Sequence, residues 1–332
     1  MATIKDIADR LGVALSTVSK GLNGAPDISE ELRRQVLDTA VELGYRTKKM
    51  RKEEHKKLVI FVENMKFERP EDFGHDLILG FRQMAYRDNW GVNVVNVSAR
   101  LQNHEKYDTY MLMHGYSGAF AMGFALKDEW MSQIAKTVIP TALLDNYVPL
   151  NQNVGYVGTD SVEGIERAIK DLYDLGHRKI AFLNGSPNSW VSDQRQAAYE
   201  SGIKNVGLKL EPELTAYGYY VADSARFHVP SMIEAGATAI LCGNDLIASG
   251  VYDVCAQLKL KIPRDISVVG FDDLPIASEL KPGLTTIRQD RLELGKCAYF
   301  TLNSLINNVS ISKTMLRPQF IERGSMGAKK AK

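Results

Sequence analysis

Two groups of side chains in this 332-residue sequence are of types and at spacings that could do chemistry. In the first, Asp145, Asn244, Asp272 and Asp273 close apolar runs of strand character, and the segment 188–195 adds Trp190, Ser192 and Arg195. A carboxylate, an amide and a guanidinium can each engage neighbouring hydroxyls, while an aromatic face suits the C–H side of a sugar ring. The same residues could instead cap strands or bridge elements, and Asp273, next to Asp272, points to the other side if the strand continues. The second group is Leu15, Ser16, Thr17, Ser19 and Lys20. Small hydroxyls with a basic residue behind them are what base edges and phosphates in a DNA major groove require. Catalytic patterns are missing: there is no GxGxxG, GxxxxGK[ST], GxSxG or HExxH, and the six histidines show no ligand spacing. His177, after Gly176, reads as a helix-end capping residue. No catalytic residue, metal or cofactor is expected, and the chain is not read as an enzyme.

The second group needs a helix to present it. Thr3 and Asp6 form a capping-box pattern, and Ile4, Ile7, Ala8 and Leu11 then make one apolar stripe along two turns. Gly12 supplies the left-handed residue of a tight turn between helices. Val13 and Val18 can pack back on the stripe, which leaves the polar group facing outward until Asn23-Gly24 closes the second helix. Ser29 caps a third, with Leu32, Val36, Leu37, Ala40 and Leu43 completing a small core. Physics alone leaves two readings open, a helix-turn-helix head and an ordinary helical cap.

The first group needs strands. Apolar runs at 58–64, 91–98, 118–124, 137–146, 178–185, 237–245 and 266–273 alternate with helical patterns at 75–88, 161–175, 193–205 and 245–258. Such alternation predicts doubly wound parallel sheets, here two lobes with a cleft at the carboxyl ends of their strands. The composition, 45% hydrophobic and 24% charged, is that of a globular protein. No apolar run approaches the ~20 residues of a membrane span. Lys5, Asp6, Asp9 and Arg10 interrupt any secretory leader, and three scattered cysteines support neither a disulfide framework nor a zinc site. A reducing cytoplasm is the expected location. Net charge is near zero, but residues 1–57 hold 12 Lys and Arg against 9 Asp and Glu, with the excess in RTKKMRKEEHKK at 46–57. A solvated linker explains that run as well as a phosphate-binding one.

TIKDIADRLGVALSTVSKGLNG resembles the DNA-binding head of the LacI/GalR (lactose-repressor) family, at the position where that family carries it. VGTDSVEGIERAIKDLYDLGHRKIAFLNG, the stretch 242–289 and QFIERGS resemble its sugar-binding core, so the likeness spans nearly the whole chain. It implies an α/β fold class: an all-α helix-turn-helix head (1–45), a linker (46–57) and a two-lobed, periplasmic-binding-protein-like effector and dimerisation core (58–332). Positions matching Arg195, Asn244 and Asp272 contact effector in the family, those matching Asp145, Ser192 and Tyr220 line the same cleft, and Phe73 matches an aromatic at its mouth. Ala14 departs from the usual capping serine of the recognition helix, and 64–72 is longer and more charged than the usual loop.

The resemblance thus implies a cytoplasmic repressor, a homodimer with a tetramer left open, on a pseudo-palindromic operator. Its small effector, a sugar or sugar phosphate, would change the lobe angle and so the spacing of the two heads. DNA contacts are expected from Thr3, Leu15, Ser16, Thr17, Ser19, Lys20 and Asn23. The linker departs from the family: it has no proline after Tyr45, and Glu54 stands where a leucine is expected to wedge into the minor groove. A glutamate cannot enter a base stack without desolvating its charge. Lys48, Lys49, Arg51 and Lys52 are therefore expected to touch phosphates as a tether, with Met50 as the alternative wedge. Two other readings stay open: a solute-binding module of the periplasmic type, and a regulator controlled by a protein corepressor.

Overall fold

The computed structural model describes residues 2–45 and 56–329. Lys48, Lys49, Met50, Arg51 and Lys52 lie outside the described residues.

The amino-terminal helices are α1 (Ile4–Leu11), α2 (Leu15–Asn23) and α3 (Glu30–Glu42). The capping box forms: the Asp6 amide donates to Thr3 Oγ1 at 3.3 Å, and the Thr3 amide donates to Asp6 Oδ2 at 2.7 Å. Gly12, at φ 65°, ends α1, and Gly24, also at φ 65°, ends α2. Ser29 Oγ accepts from the Leu32 amide and starts α3. Ala14 leaves α2 with no side-chain cap, an omission worth about 1 kcal/mol of helix stability. Ile7, Ala8, Val18, Val36 and Ala40 form the core of the head, with Leu43 and Tyr45 packed against it. Gly21 is dictated by this packing, because a Cβ there would lie 2.9 Å from a Val36 methyl. Leu37, expected in the same core, is buried but is not one of its members.

The remainder of the chain forms two six-stranded sheets. The first has the order β11-β5-β4-β3-β1-β2, from β1 (Lys57–Glu63), β2 (Gly91–Val97), β3 (Gly118–Met122), β4 (Thr141–Leu144), β5 (Val154–Thr159) and β11 (Lys313–Leu316). β2, β1, β3 and β4 run parallel. Alternation sorts their side chains between the two faces. Val59, Phe61, Ala119, Ala121 and Leu143 pack under α6 (Tyr107–His114) and α7 (Glu129–Ile134). Phe120, on the opposite face, stacks on Phe81 of α4 (Phe73–Arg87) at 5.4 Å. Phe81 in turn meets Tyr299 of α13 (Arg291–Ile306) edge-on. The short α5 (Ala99–His104), α6 and α7 were not anticipated from periodicity.

The second sheet has the order β12-β10-β9-β8-β6-β7, from β6 (Ile180–Asn184), β7 (Thr215–Tyr217), β8 (Ala239–Cys242), β9 (Ser267–Asp272), β10 (Thr285–Arg288) and β12 (Gln319–Ile321). It is parallel except for its edge, where β12 runs antiparallel to β10. Ala181, Leu183, Ile240, Cys242 and Val268 face α10 (Ala225–Glu234) and α11 (Asp245–Gln257). Ile180, Phe182, Ala239, Leu241 and Val269 face α8 (Ser161–Asp174) and α9 (Trp190–Asn205). Helices on both faces make the sheet doubly wound. Beyond α8, Gly176 (φ 91°) and the His177 amide close the helix by donating to Tyr173 O and Leu172 O. His177 is thus the helix-end capping residue that the sequence predicts, through its backbone amide, which leaves its ring for another contact. The ring lies between Thr238 Oγ1 and Gly327 O, at 2.9 and 3.0 Å, and ties the carboxyl-terminal chain to the amino end of β8.

By compactness the chain divides into a first unit (Met1–Met65, Phe81–Tyr156, Lys296–Lys313) and a second (Lys66–Gly80, Val157–Gly295, Thr314–Lys332). The head thus groups with the first sheet. The charged loop after β1 belongs to the second unit, where Arg291 donates to Asp72 O at 3.1 Å and pairs with Asp76 at 3.0 Å.

Candidate DNA-reading face and effector site

On the head, Leu15 is 54% exposed, Ser16 and Lys20 are exposed, and Thr17 and Ser19 are partly so. Leu15 thus sets one apolar side chain among the polar groups of this face, a type suited to contact with a thymine methyl. Lys20 is held by Asp27, and Asn23 Nδ2 donates to the Ser19 carbonyl at 2.7 Å. Both contacts fix long side chains on the outer face of α2. Thr3, by contrast, commits its hydroxyl to Asp6 Oδ2 at 2.8 Å, so its use on DNA would compete with the cap.

In the second unit, neighbouring strands β6, β8 and β9 bring several polar groups to their carboxyl ends. Asp272 ends β9 at φ 105°, is 6% exposed, and accepts from Gln289 Nε2 at 2.7 Å. Arg195, buried in the second turn of α9, donates to Gly243 O at 2.7 Å, with its guanidinium 3.8 Å from the Phe271 ring. Asn244 follows Gly243, and its Oδ1 caps α11 by accepting from the Ile247 amide at 2.9 Å. It therefore serves as a cap, and its amide Nδ2 is the group free to donate to a ligand. Ser192 Oγ and Tyr220 OH are 2.8 Å apart. Gly185 is required beneath that tyrosine, since a Cβ would fall 2.1 Å from its ring. Trp190 begins α9 and Phe73 begins α4, both half-buried. Asp273 is drawn away, as expected, into pairs with Arg288 and Arg323, each at 2.7 Å.

Asp145 belongs to the first unit, after β4, at φ 53°. Its neighbour Asn146 donates to Phe124 O at 2.5 Å. Sequence reasoning passed over three residues here. Gln289 orients Asp272, and the fully buried Asp245 accepts from the Leu274 amide and Thr286 Oγ1 at 2.6 and 2.7 Å. Burial, then the charges of Asp272 and Asp273, raise the Asp245 carboxyl well above the usual range. Glu63, at the carboxyl end of β1, was legible by the strand-end rule that singled out Asp145.

Burial, then Asp128, pushes the Glu63 carboxyl up to about 7. A group whose folded value is raised contributes stability that is complete below its ordinary value and lost as pH rises through about 7. Replacing Glu63 with Gln is therefore expected to stabilise the protein by about 1 kcal/mol near pH 8, after allowing for solvent screening of a half-buried group, and to change nothing near pH 4. Urea denaturation at the two pH values checks this, and equal midpoints at both would rule out the assignment. Among the described residues no three His, Cys, Asp or Glu side chains are grouped to hold a metal ion, and no helix is long and apolar enough to cross a membrane.

A helix-turn-helix head followed by periplasmic-binding-like sheets defines a DNA-binding transcriptional regulator. Residues 3–48 match the description "Bacterial regulatory proteins, lacI family", and residues 169–326 match "Periplasmic binding protein-like domain". The chain belongs to the LacI family. It is 28% identical to the ribose operon repressor of Haemophilus influenzae over 333 residues, which covers 93% of each chain. Its fold is shared by the transcriptional regulator CelR in complex with cellobiose (TM-score 0.73, 21% identity, 98% of this chain and 100% of that one). It is shared also by the Lac repressor dimer bound to operator and the anti-inducer ONPF (TM-score 0.68, 24% identity, 98% and 99%).

Proposed function

We propose that this protein is a cytoplasmic repressor, without catalytic activity, that binds a pseudo-palindromic operator as a homodimer and answers to a sugar or sugar phosphate. One observation carries the effector reading: a buried guanidinium (Arg195), an amide (Asn244) and a carboxylate (Asp272) converge at the carboxyl ends of adjacent parallel strands. Ser192, Tyr220, Trp190 and Phe73, all of the second unit, supply further hydroxyls and aromatic faces. The name of the ribose operon repressor supports a sugar as the class. Residues 1–45 are the reading head, with Leu15, Ser16, Thr17, Ser19, Lys20 and Asn23 towards the bases and Thr3 towards the backbone. Residues 46–57 are a tether whose Lys48, Lys49, Arg51 and Lys52 meet phosphates, with Met50 the one apolar side chain able to wedge, and 58–332 form the sensing core.

The homodimer reading draws on a surface of the second unit. Tyr219, Val221, Phe227 and Leu246 are each at least 40% exposed on or beside the packed α10 and α11. Large apolar side chains gathered this way on a soluble surface mark an interface. Selection of duplexes from a random pool tests the operator reading. Enrichment of an inverted repeat is expected, with affinity falling steeply with salt, by about 0.9 in log–log slope for each phosphate contacted. Enrichment of a site lacking two-fold symmetry, or of nothing, would refute it.

A further inference from the structure

The head does not merely hang from its linker in this structure. α3 presents Arg34, Asp38 and Glu42 at i, i+4 and i+8, a single ridge on the side away from Val36 and Ala40. That ridge meets the start of α6. Arg34 pairs with Glu105 at 2.8 Å, and Lys106 Nζ lies 3.0 Å from Glu42 and 4.0 Å from Asp38. Thr109 Oγ1 donates to Asp38 at 2.5 Å. The signs are complementary: plus, minus, minus on α3 against minus, plus on the core. Leu37, buried yet outside the core of the head, sits beside this ridge on the helical wheel, as a residue covered by docking would.

The platform itself is stiff. Tyr107, fully buried, takes Gln133 Oε1 on its amide at 2.7 Å and shares a hydrogen bond with Thr141 at 2.8 Å. Its ring meets Phe61 and Trp130 edge-on, and the Trp130 indole donates to Glu105 O at 2.7 Å. The reading face of α2 takes no part in these pairs, so a docked head can still read DNA.

The geometry points to the α5–α6 corner of the core as a docking platform for the DNA-binding head of the same chain, so that charge pairing at Arg34, Asp38, Glu42, Glu105, Lys106 and Thr109 sets the orientation in which α2 is presented. Each exposed pair is weak alone. Docking is nevertheless intramolecular, and a short linker holds the head at roughly millimolar effective concentration, so a weak contact suffices. Movement of the first sheet then reaches the recognition helix through α6, and salt competes with the contact directly.

Amide relaxation in the full-length protein, labelled with nitrogen-15, tests this without any ligand. At about 50 mM NaCl the head amides of the wild type should relax like those of the core, and at about 500 mM they should narrow several-fold as the head tumbles freely. Lys106→Glu, which sets a carboxylate against Asp38 and Glu42, should narrow them at low salt, as should Arg34→Glu. Adding Glu105→Arg to Arg34→Glu should restore the broad lines. Arg34 and Lys106 are about half exposed and Glu105 lies at the contact itself, so the core should stay intact, which unshifted core amides verify. Narrow head lines in the wild type at low salt, broad lines in both single variants, or failure of the swap would each overturn the proposal. In dimers pairing a labelled Lys106→Glu chain with unlabelled wild type, the labelled head should stay narrow. A broad line there would place the platform on the partner subunit and overturn the same-chain assignment.

Discussion

Deleting residues 1–55 is expected to reduce binding of the selected operator duplex to background, a loss of about three or more orders of magnitude if specific binding has its usual margin over non-specific. The cut is chosen from the structure. The carbonyls of Lys56 and Lys57 accept from the Gly91 and Ser117 amides at 2.7 and 2.8 Å, so both residues belong to the hydrogen-bonded ladder of the first sheet. With them retained, β1 keeps its partners and the core should unfold as the full chain does. The outward groups of α2 leave with the deleted segment. Fluorescence anisotropy on the selected duplex measures the effect, and a truncated core that still discriminates this duplex from a scrambled one would take DNA reading away from the head.

Asp272→Ala carries the second large effect. A panel of mono- and disaccharides and their phosphates, screened by thermal shift on the wild type, identifies ligands, because anything binding only the folded state raises its stability. Those shifts are expected to disappear in the variant, with an affinity loss of about tenfold to a hundredfold, as when a charged hydrogen-bond partner is removed. Operator affinity should stay close to that of the wild type, since Asp272 lies in the second unit and the head groups with the first. Asp272→Asn, which keeps the shape at this left-handed position, separates loss of charge from loss of contact. Undiminished ligand shifts in Asp272→Ala would remove this residue from the effector site.

Much of this was legible in order along the chain. The Thr3–Asp6 pair, Gly12 and Gly24 are local signals, because caps and left-handed turns depend on residues three or four apart. The missing cap at Ala14 was legible for the same reason. The strand runs around Ile60, Phe182 and Val268 were equally plain, since residues buried on both faces of a parallel sheet read as unbroken apolar stretches. Strand-end polar residues such as Asp272 follow once the strands are known. The six-residue α5 and α7 were missed because one and a half turns carry too little periodicity to register. The helix-end role of His177 was legible because its backbone obeys a local rule, whereas its ring, which answers to Thr238 and Gly327, was not.

Sequence by itself determined the secondary structure of the head, the two series of parallel strands and the residue types at their ends, because each rests on short-range stereochemistry or on a repeating apolar pattern. Tertiary structure alone decided which of those ends share a unit: Arg195, Asn244 and Asp272 together, with Asp145 elsewhere. It also decided that Gln289 braces Asp272, that Gly185 makes room for Tyr220, and that Arg34, Asp38 and Glu42 meet Glu105, Lys106 and Thr109. Those contacts join residues 17 to 71 positions apart. Charge and shape complementarity across such separations depends on where packing places each element, and the order of residues along one chain does not encode it locally.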